Sequence, residues 1–397
     1  MTETIVFRNA FLIDGNGGDP APNATMVVSD GTIREVTPDD RRTKVVTGRV
    51  IDLKGKTLMP GLIDAHTHIC WAGSRSNDYA MRLAGKSYLE IANAGGGIWS
   101  TVQSTRAASL DELTEITRIH ADKMSRDGVT TIEVKSGYGL TTSDELKILE
   151  AIQKANQKTA ADLIPTCLAA HMCPRDYEGS KSKYLMDMAV QLLPVVKEKR
   201  LSDRVDIFIE DTAFTPEEAR PYLETAKRLG FKLVIHGDQF SLGGSDIAIQ
   251  TGAFSVDHLE TSGDTEIQLL AKSKIIPVVL PGSSIGLGEA FAPARKILDA
   301  GASLVIASDW NPGSAPMGDL LIQAAILGIY EKLSIVEILA GVTFRAAAAL
   351  DLQDRGILKK GYLADIIAFE LNDYRDIFHN QGKIKPSTIW KKGSIVL

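Results

Sequence analysis

Disulfides, a cationic surface and membrane-length apolar runs are all missing from this chain. Its 397 residues hold three cysteines, Cys70, Cys167 and Cys173, an odd number that excludes a disulfide framework and suits a reducing compartment. Lysine and arginine number 44 against 50 acidic residues, a formal net charge of −6. With no Lys/Arg run to offset that balance, a nucleic-acid partner is disfavoured. No apolar run approaches the roughly 20 residues a membrane span needs. The start, Met1 to Asn9, has no basic stretch leading into an apolar one, so no signal peptide is expected. Neither a long internal repeat nor a low-complexity linker divides the sequence. A soluble, cytoplasmic protein with one large core and a smaller satellite is the expectation, at 44% hydrophobic and 24% charged residues.

What is present is a regular alternation. Apolar, β-branched segments near Leu58–His68, Val129–Lys135, Leu163–His171, Val205–Glu210, Lys232–His236, Ala253–His258, Ile275–Leu280 and Ser303–Asp309 read as strands, with helical stretches between them. Ser109 with Glu112 and Ser334 with Glu337 form capping boxes, and Gly128 stops the first of these helices. Thr215-Pro216 opens another helix, which Gly230 closes. Eight such strands over about 250 residues predict an α/β fold built on a (β/α)8 TIM-type barrel. An open doubly wound sheet would gather its polar residues near one switch point, whereas here nearly every strand ends in one. Residues 1–55 and 350–397 instead read as short strands and turns, predicting a small composite β-sandwich domain from both termini around a catalytic barrel at 56–349.

The strand ends carry the chemistry. They read His66 and His68, then Lys135, His171, Glu210, His236, His258 and Asp309. Side chains two apart on a strand share a face, so His66 and His68 can reach one metal ion, with His236 and Asp309 as further ligands. Three imidazoles and a carboxylate suit one zinc or iron ion with room for water, whose pKa a bound zinc lowers from 15.7 to roughly 7. His258, outside that set, is placed to hydrogen-bond the water or a developing oxyanion, and Asp309 can ligate and also relay a proton. A carboxylated lysine bridging two metals would need strand four, and Lys135 lies on strand two, so it is expected to pair with Glu133 or Glu210. Of the seven histidines, His120 on a helix and His379 near the end read as ordinary half-buried or surface residues. Cys70 continues the His66–His68 alternation, but a thiolate would take the position hydrolytic water needs. Gly95-Gly96-Gly97 lacks the lysine of a phosphate loop and reads as a lid or close-approach loop.

The motif Asp64-Ala65-His66-Thr67-His68 with His236, His258 and Asp309 resembles the amidohydrolase superfamily. The segments Lys135-Ser136-Gly137-Tyr138-Gly139 and Asp309-Trp310-Asn311-Pro312-Gly313-Ser314 narrow the resemblance to its imidazolonepropionase family. That resemblance runs through almost the whole chain. It implies hydrolysis of the cyclic amide of 4-imidazolone-5-propanoate, a zinc or iron ion on His66, His68, His236 and Asp309, and a homodimer. It further implies that Arg75, Tyr138, His171, Gln239, Asn311, Gly313 and Ser314 contact substrate, with His258, Asp309 and His171 as the catalytic group. Arg75 suits the propionate arm, since a guanidinium can bind a carboxylate through two hydrogen bonds. Gln239 stands where some members carry glutamate, which moves the base role to Asp309 with His258. Asp78-Tyr79 replaces an expected glutamate–phenylalanine pair, with no clear catalytic consequence at this level. Two rivals stay open: a deaminase of a neutral base, which has little use for Arg75, and a non-catalytic scaffold, which has little use for four metal ligands.

Overall fold

The computed structural model describes residues 4–38, 47–86, 90–91 and 94–396. Five strands come first: β1 Ile5–Leu12, β2 Ala21–Ser29, β3 Thr32–Thr37, β4 Arg49–Asp52 and β5 Thr57–Pro60. Eight follow with at least one helix between each consecutive pair: β6 Leu62–Asp64, β7 Val129–Lys135, β8 Asp162–Ala170, β9 Arg204–Ile209, β10 Lys232–Gly237, β11 Ser255–His258, β12 Ile276–Val279 and β13 Val305–Ile306. β14 Ile366–Phe369, β15 Thr388–Lys391 and β16 Ser394–Ile395 complete the chain. The composite domain expected over 350–397 ends at Leu397, which lies outside the described residues.

Strands β6 to β13 lie side by side in chain order, all parallel. The ring closes above β6 and β13 rather than between them, through a parallel bridge of Thr67 with Trp310. There His68 N donates to Trp310 O at 3.0 Å and Asp309 N to His66 O at 3.0 Å. This is the expected (β/α)8 barrel. All seven residues of β7 are buried, as a parallel strand covered on both faces requires. The helices begin where the sequence places them, with capping boxes at Ser109, Thr215 and Ser334.

The terminal strands join one sheet ordered β16-β15-β14-β5-β1-β2-β3, with β4 also on β1. Phe7 of β1 meets the Trp390 ring of β15 edge to face at 5.0 Å although β14 and β5 separate the two strands. The sheet therefore folds over its own core, which includes Met26, Ile33, Leu58 and Ile366. Leu58 had been expected in the first barrel strand. Instead β5 pairs with β1 and β14, so the terminal sheet reaches Pro60, past the expected boundary at residue 55. Gly61 marks the switch, because a Cβ there would collide with Thr130.

Asp162 ties the two parts together. At the start of β8 it contacts Arg355 at 2.6 Å and Lys391 at 2.8 Å. Burial opposes its charge, but the two cations outweigh burial and hold its pKa down at about 2. Asp162→Ala should cost about 1–2 kcal/mol at pH 7: two ion pairs are lost from a site only a quarter exposed, while Arg355 keeps Asp354 at 2.9 Å and Lys391 keeps Asp365 at 2.7 Å. A depressed carboxylate stabilises above its unfolded value of about 3.9 and loses that effect as pH falls toward 2. Denaturation of wild type and variant should therefore differ fully at pH 6 and converge between pH 4 and 2. No described helix is long and apolar enough to cross a membrane.

Candidate metal centre and active site

Regular β6 ends at Asp64, four residues before the expected strand end at His68. Beyond it the backbone bonds outward to both neighbours instead, with Lys135 N donating to Thr67 O at 2.9 Å on one side and the Trp310 bridge on the other. This holds His66 and His68 above the barrel with Nε2 atoms 3.3 Å apart. His236, near the end of β10, brings its Nε2 to 3.4 Å from that of His68. Asp309 Oδ1 lies 3.5 Å from His66 Nε2 and 3.4 Å from His68 Nε2. A tetrahedral ion with bonds of about 2.0–2.1 Å would place its donors about 3.3–3.4 Å apart, so the four side chains fit a single metal ion.

Protonation agrees with that fit. His66 Nδ1 bonds Asp257 Oδ2 at 2.6 Å, which leaves Nε2 as the lone-pair atom. His236 Nδ1 lies 2.9 Å from Asp206 Oδ2, though without hydrogen-bond alignment. Burial drives His66 well below its ordinary pKa and His236 down to about 4, the latter against the pull of Asp206. Neutral imidazoles are the ligating form. Lone pairs facing each other across such distances in a dry site repel unless a cation stands between them. His68 Nδ1, buried and without a hydrogen-bond partner, gains nothing else from this placement. Asp309 is held in the left-handed region at φ 52° and His258 at φ 91°, backbone strain of a kind that collects at functional sites.

Lys135 pairs with Glu133 as expected, at 2.8 Å, and also with Asp206 at 2.8 Å. It does not pair with Glu210. That carboxylate accepts from Gln239 N and Phe240 N, both at 2.9 Å, and from Ser241 Oγ at 2.5 Å. Glu210 thus shapes the loop that presents Gln239, whose Nε2 donates to Ser283 Oγ at 3.1 Å. For His258, burial works against the charged form, but Glu260 at 3.4 Å outweighs it and raises the pKa. Burial likewise opposes the charge of Asp309, and the histidines around it win, lowering its pKa.

A cavity of about 760 Å³ opens over this cluster, lined among others by Arg75, Tyr138, His171, Gln239, His258 and Asn311, a size that fits a small-molecule site. His171 Nδ1 donates to Gly137 O at 3.0 Å, and the ring stacks on His68 with centroids 5.4 Å apart. Gly137 has φ +108°, and a Cβ there would press on His171 and Leu168. Asn311 is spent on its own loop: Oδ1 accepts from Gly313 N and Ser314 N at 2.8 Å, and Nδ2 donates to Asp309 O at 2.7 Å. Gly313 and Ser314 line the cavity beside it.

Several working residues escaped the sequence reading. Asp78, credited with no consequence there, is buried, grips Arg75 Nε and accepts from Gly97 N at 2.9 Å. A Cβ on Gly96 would strike that carboxylate, which makes the glycine triplet a close-approach loop. Arg82 donates to the carbonyls of Gly313 at 3.0 Å and Gly286 at 3.3 Å across the mouth. Glu145 accepts from Gly137 N, Gly139 N and Leu140 N at 2.7–3.0 Å and so fixes the loop carrying Tyr138. An acidic residue in the first turn of the helix after Gly-Tyr-Gly was the available signal. Cys70 is remote from this chemistry, its buried thiol pushed up to about 12. His120 stacks on Trp71 at 4.2 Å and bonds Ile69 O, a packing role as expected.

Residues 57–396 match the amidohydrolase family. The chain is 38% identical to an imidazolonepropionase of Bacillus cytotoxicus over 93% of its own length and 88% of the relative's. It is 42% identical to an imidazolonepropionase of Fusobacterium nucleatum over 87% and 84% of the two lengths. Among solved structures, a triazine hydrolase variant superimposes with a TM-score of 0.77 at 16% identity, covering 99% of this chain and 94% of that one. A zinc-bound adenosine deaminase from Xanthomonas campestris gives 0.74 at 18% identity, covering 99% and 92%. At such identities the solved structures speak for the fold, while the sequence relatives speak for the family. The chain belongs to the amidohydrolase family and, within it, to the imidazolonepropionases.

Proposed function

We propose that this chain hydrolyses the cyclic amide C–N bond of 4-imidazolone-5-propanoate to give N-formimino-L-glutamate, a step of histidine degradation. One observation carries the reading: a guanidinium suited to a carboxylate, Arg75, lines the same cavity as the three-histidine, one-aspartate cluster. His66, His68, His236 and Asp309 would hold one zinc or iron ion per chain, which when bound polarises a carbonyl and acidifies water.

The chain's own groups supply the rest. Arg75 takes the propionate arm. With Nε held by Asp78 and one Nη1 hydrogen directed at Thr101 Oγ1 at 3.4 Å, the remaining N–H groups of its two terminal nitrogens offer a two-point contact. His171 and Tyr138 flank the ring, while Gln239 and the Asn311 loop with Gly313 and Ser314 close round its polar edge. His258, prone to protonation beside Glu260, donates to the oxygen on which negative charge grows. Asp309 takes a proton from the attacking water and passes it to the departing ring nitrogen, so the C–N bond breaks as the water oxygen joins the carbonyl carbon. The same reading carries a cytoplasmic homodimer that meets neither nucleic acid nor membrane, in keeping with the net charge of −6.

Asp78→Asn keeps the shape of the Arg75 grip and removes its charge. KM should rise roughly tenfold with kcat nearly unchanged, the signature of lost binding common to ground and transition states. Steady-state kinetics at fixed metal content reads this directly, and an unchanged KM would return Asp78 to a packing role. The function itself is tested by offering 4-imidazolone-5-propanoate, cytosine and guanine side by side. Formimino-glutamate from the first and no ammonia from the bases is the expected result; turnover of a base alone would replace this reading with a deaminase.

A further inference from the structure

The mechanism above leaves unused a fully buried cation that lies beside the histidine cluster. Lys135 Nζ sits at 0% exposure, 2.8 Å from Glu133 Oε1, 2.8 Å from Asp206 Oδ2 and 3.6 Å from Asp257 Oδ2. Two of those carboxylates are the ones that face the metal-side rings, Asp257 at His66 Nδ1 and Asp206 at His236 Nδ1. A continuous buried chain of polar contacts thus runs from His66 through Asp257, Lys135 and Asp206 to His236. The ligand atoms of Asp206, His236 and Asp257 themselves lie within 4.8 Å of one another, close enough to attract an ion, and the ammonium answers that negative charge from within the chain.

We propose that Lys135 is a positioning residue for the metal centre: its ammonium fixes the Asp206 and Asp257 carboxylates and, through them, the orientation and tautomer of the His236 and His66 rings. A carboxylate held at Nδ1 keeps the proton there and frees Nε2 for the ion, and partners of this kind affect metal affinity strongly. Without the ammonium, Glu133, Asp206 and Asp257 would crowd one dry pocket as like charges. They would move apart, and that movement loosens the rings. This inference rests on the assignment of His66, His68, His236 and Asp309 as ligands.

The test is zinc affinity by chelator competition, together with ¹⁵N imidazole spectra of the metal-free protein. In wild type, His66 and His236 should both show the Nδ1–H tautomer. Lys135→Met should weaken zinc binding roughly 10–100-fold and mix the tautomers. Equal zinc affinity and unchanged tautomers, with only a lower Tm, would overturn the inference and leave a structural ion pair. Should Lys135→Met not fold, Asp206→Asn and Asp257→Asn keep both shape and lysine. Each should weaken zinc binding and disturb its own histidine, Asp206→Asn at His236 and Asp257→Asn at His66, and failure of both to do so would equally overturn it. Wild type that binds no zinc would strike the ligand assignment instead.

Discussion

Asp309→Asn is expected to lower kcat by at least roughly 10⁴-fold while the protein stays folded. The residue has two tasks in this account, and the substitution harms both. Positioned proton transfer alone contributes about 10²–10⁴-fold. The loss of an anionic ligand weakens the ion that activates water, which adds to the deficit. The structure explains why one side chain can do both. Oδ1 faces the Nε2 atoms of His66 and His68 at 3.5 and 3.4 Å, leaving Oδ2 for the proton. The surrounding histidines overcome the cost of burial and hold the carboxyl ionised, below its ordinary value. Asparagine preserves the outline and can offer one neutral oxygen to metal, but it cannot accept a proton at neutral pH. Metal analysis and single-turnover rates should be taken on the same sample. Activity within tenfold of wild type in a metal-loaded variant would move the proton relay to another group.

The second large effect is expected at Arg75. Arg75→Ala should reduce kcat/KM for the propanoate substrate by roughly 10²–10³-fold, equivalent to about 3–4 kcal/mol for two charge-assisted hydrogen bonds in a partly enclosed site. Metal content should stay at the wild-type level, because Arg75 contacts Asp78 and Thr101 and none of the four proposed ligands. Arg75→Lys should recover little, since an ammonium lacks the planar fork and cannot reproduce the grip on Asp78. A parallel loss of metal and substrate affinity would instead mark Arg75 as a structural residue of the loop. The two variants therefore separate binding of the carboxylate arm from activation of water.

The five strand-end histidines were legible because so few others exist to confuse the pattern. His120 and His379 were set aside on position alone, and His120 does pack behind the site on Trp71. The barrel was legible for a related reason: each strand is short, apolar and closed by a polar residue. The carboxylates that support the site from behind were not. Asp206, Asp257, Glu145 and Asp78 are four of 50 acidic residues, and nothing in their spacing distinguishes a buried acceptor from a solvated charge. Their meaning comes from contacts between distant strands, such as Asp257 with His66, 191 positions apart in sequence. Lys135 shows the same limit. Its partner Glu133 is two residues away and could be named, whereas Asp206 and Asp257 lie on β9 and β11. The first barrel strand was misjudged in extent because Leu58–Ile63 is one apolar run, and only Gly61 hints that two sheets divide it.

Turnover of 4-imidazolone-5-propanoate by metal-loaded and chelator-stripped protein, followed through N-formimino-L-glutamate, addresses the central claim most directly. The account predicts product from the loaded protein, loss of turnover on stripping to below one hundredth, and recovery when zinc or iron is returned. Undiminished turnover by fully stripped, folded protein would contradict it.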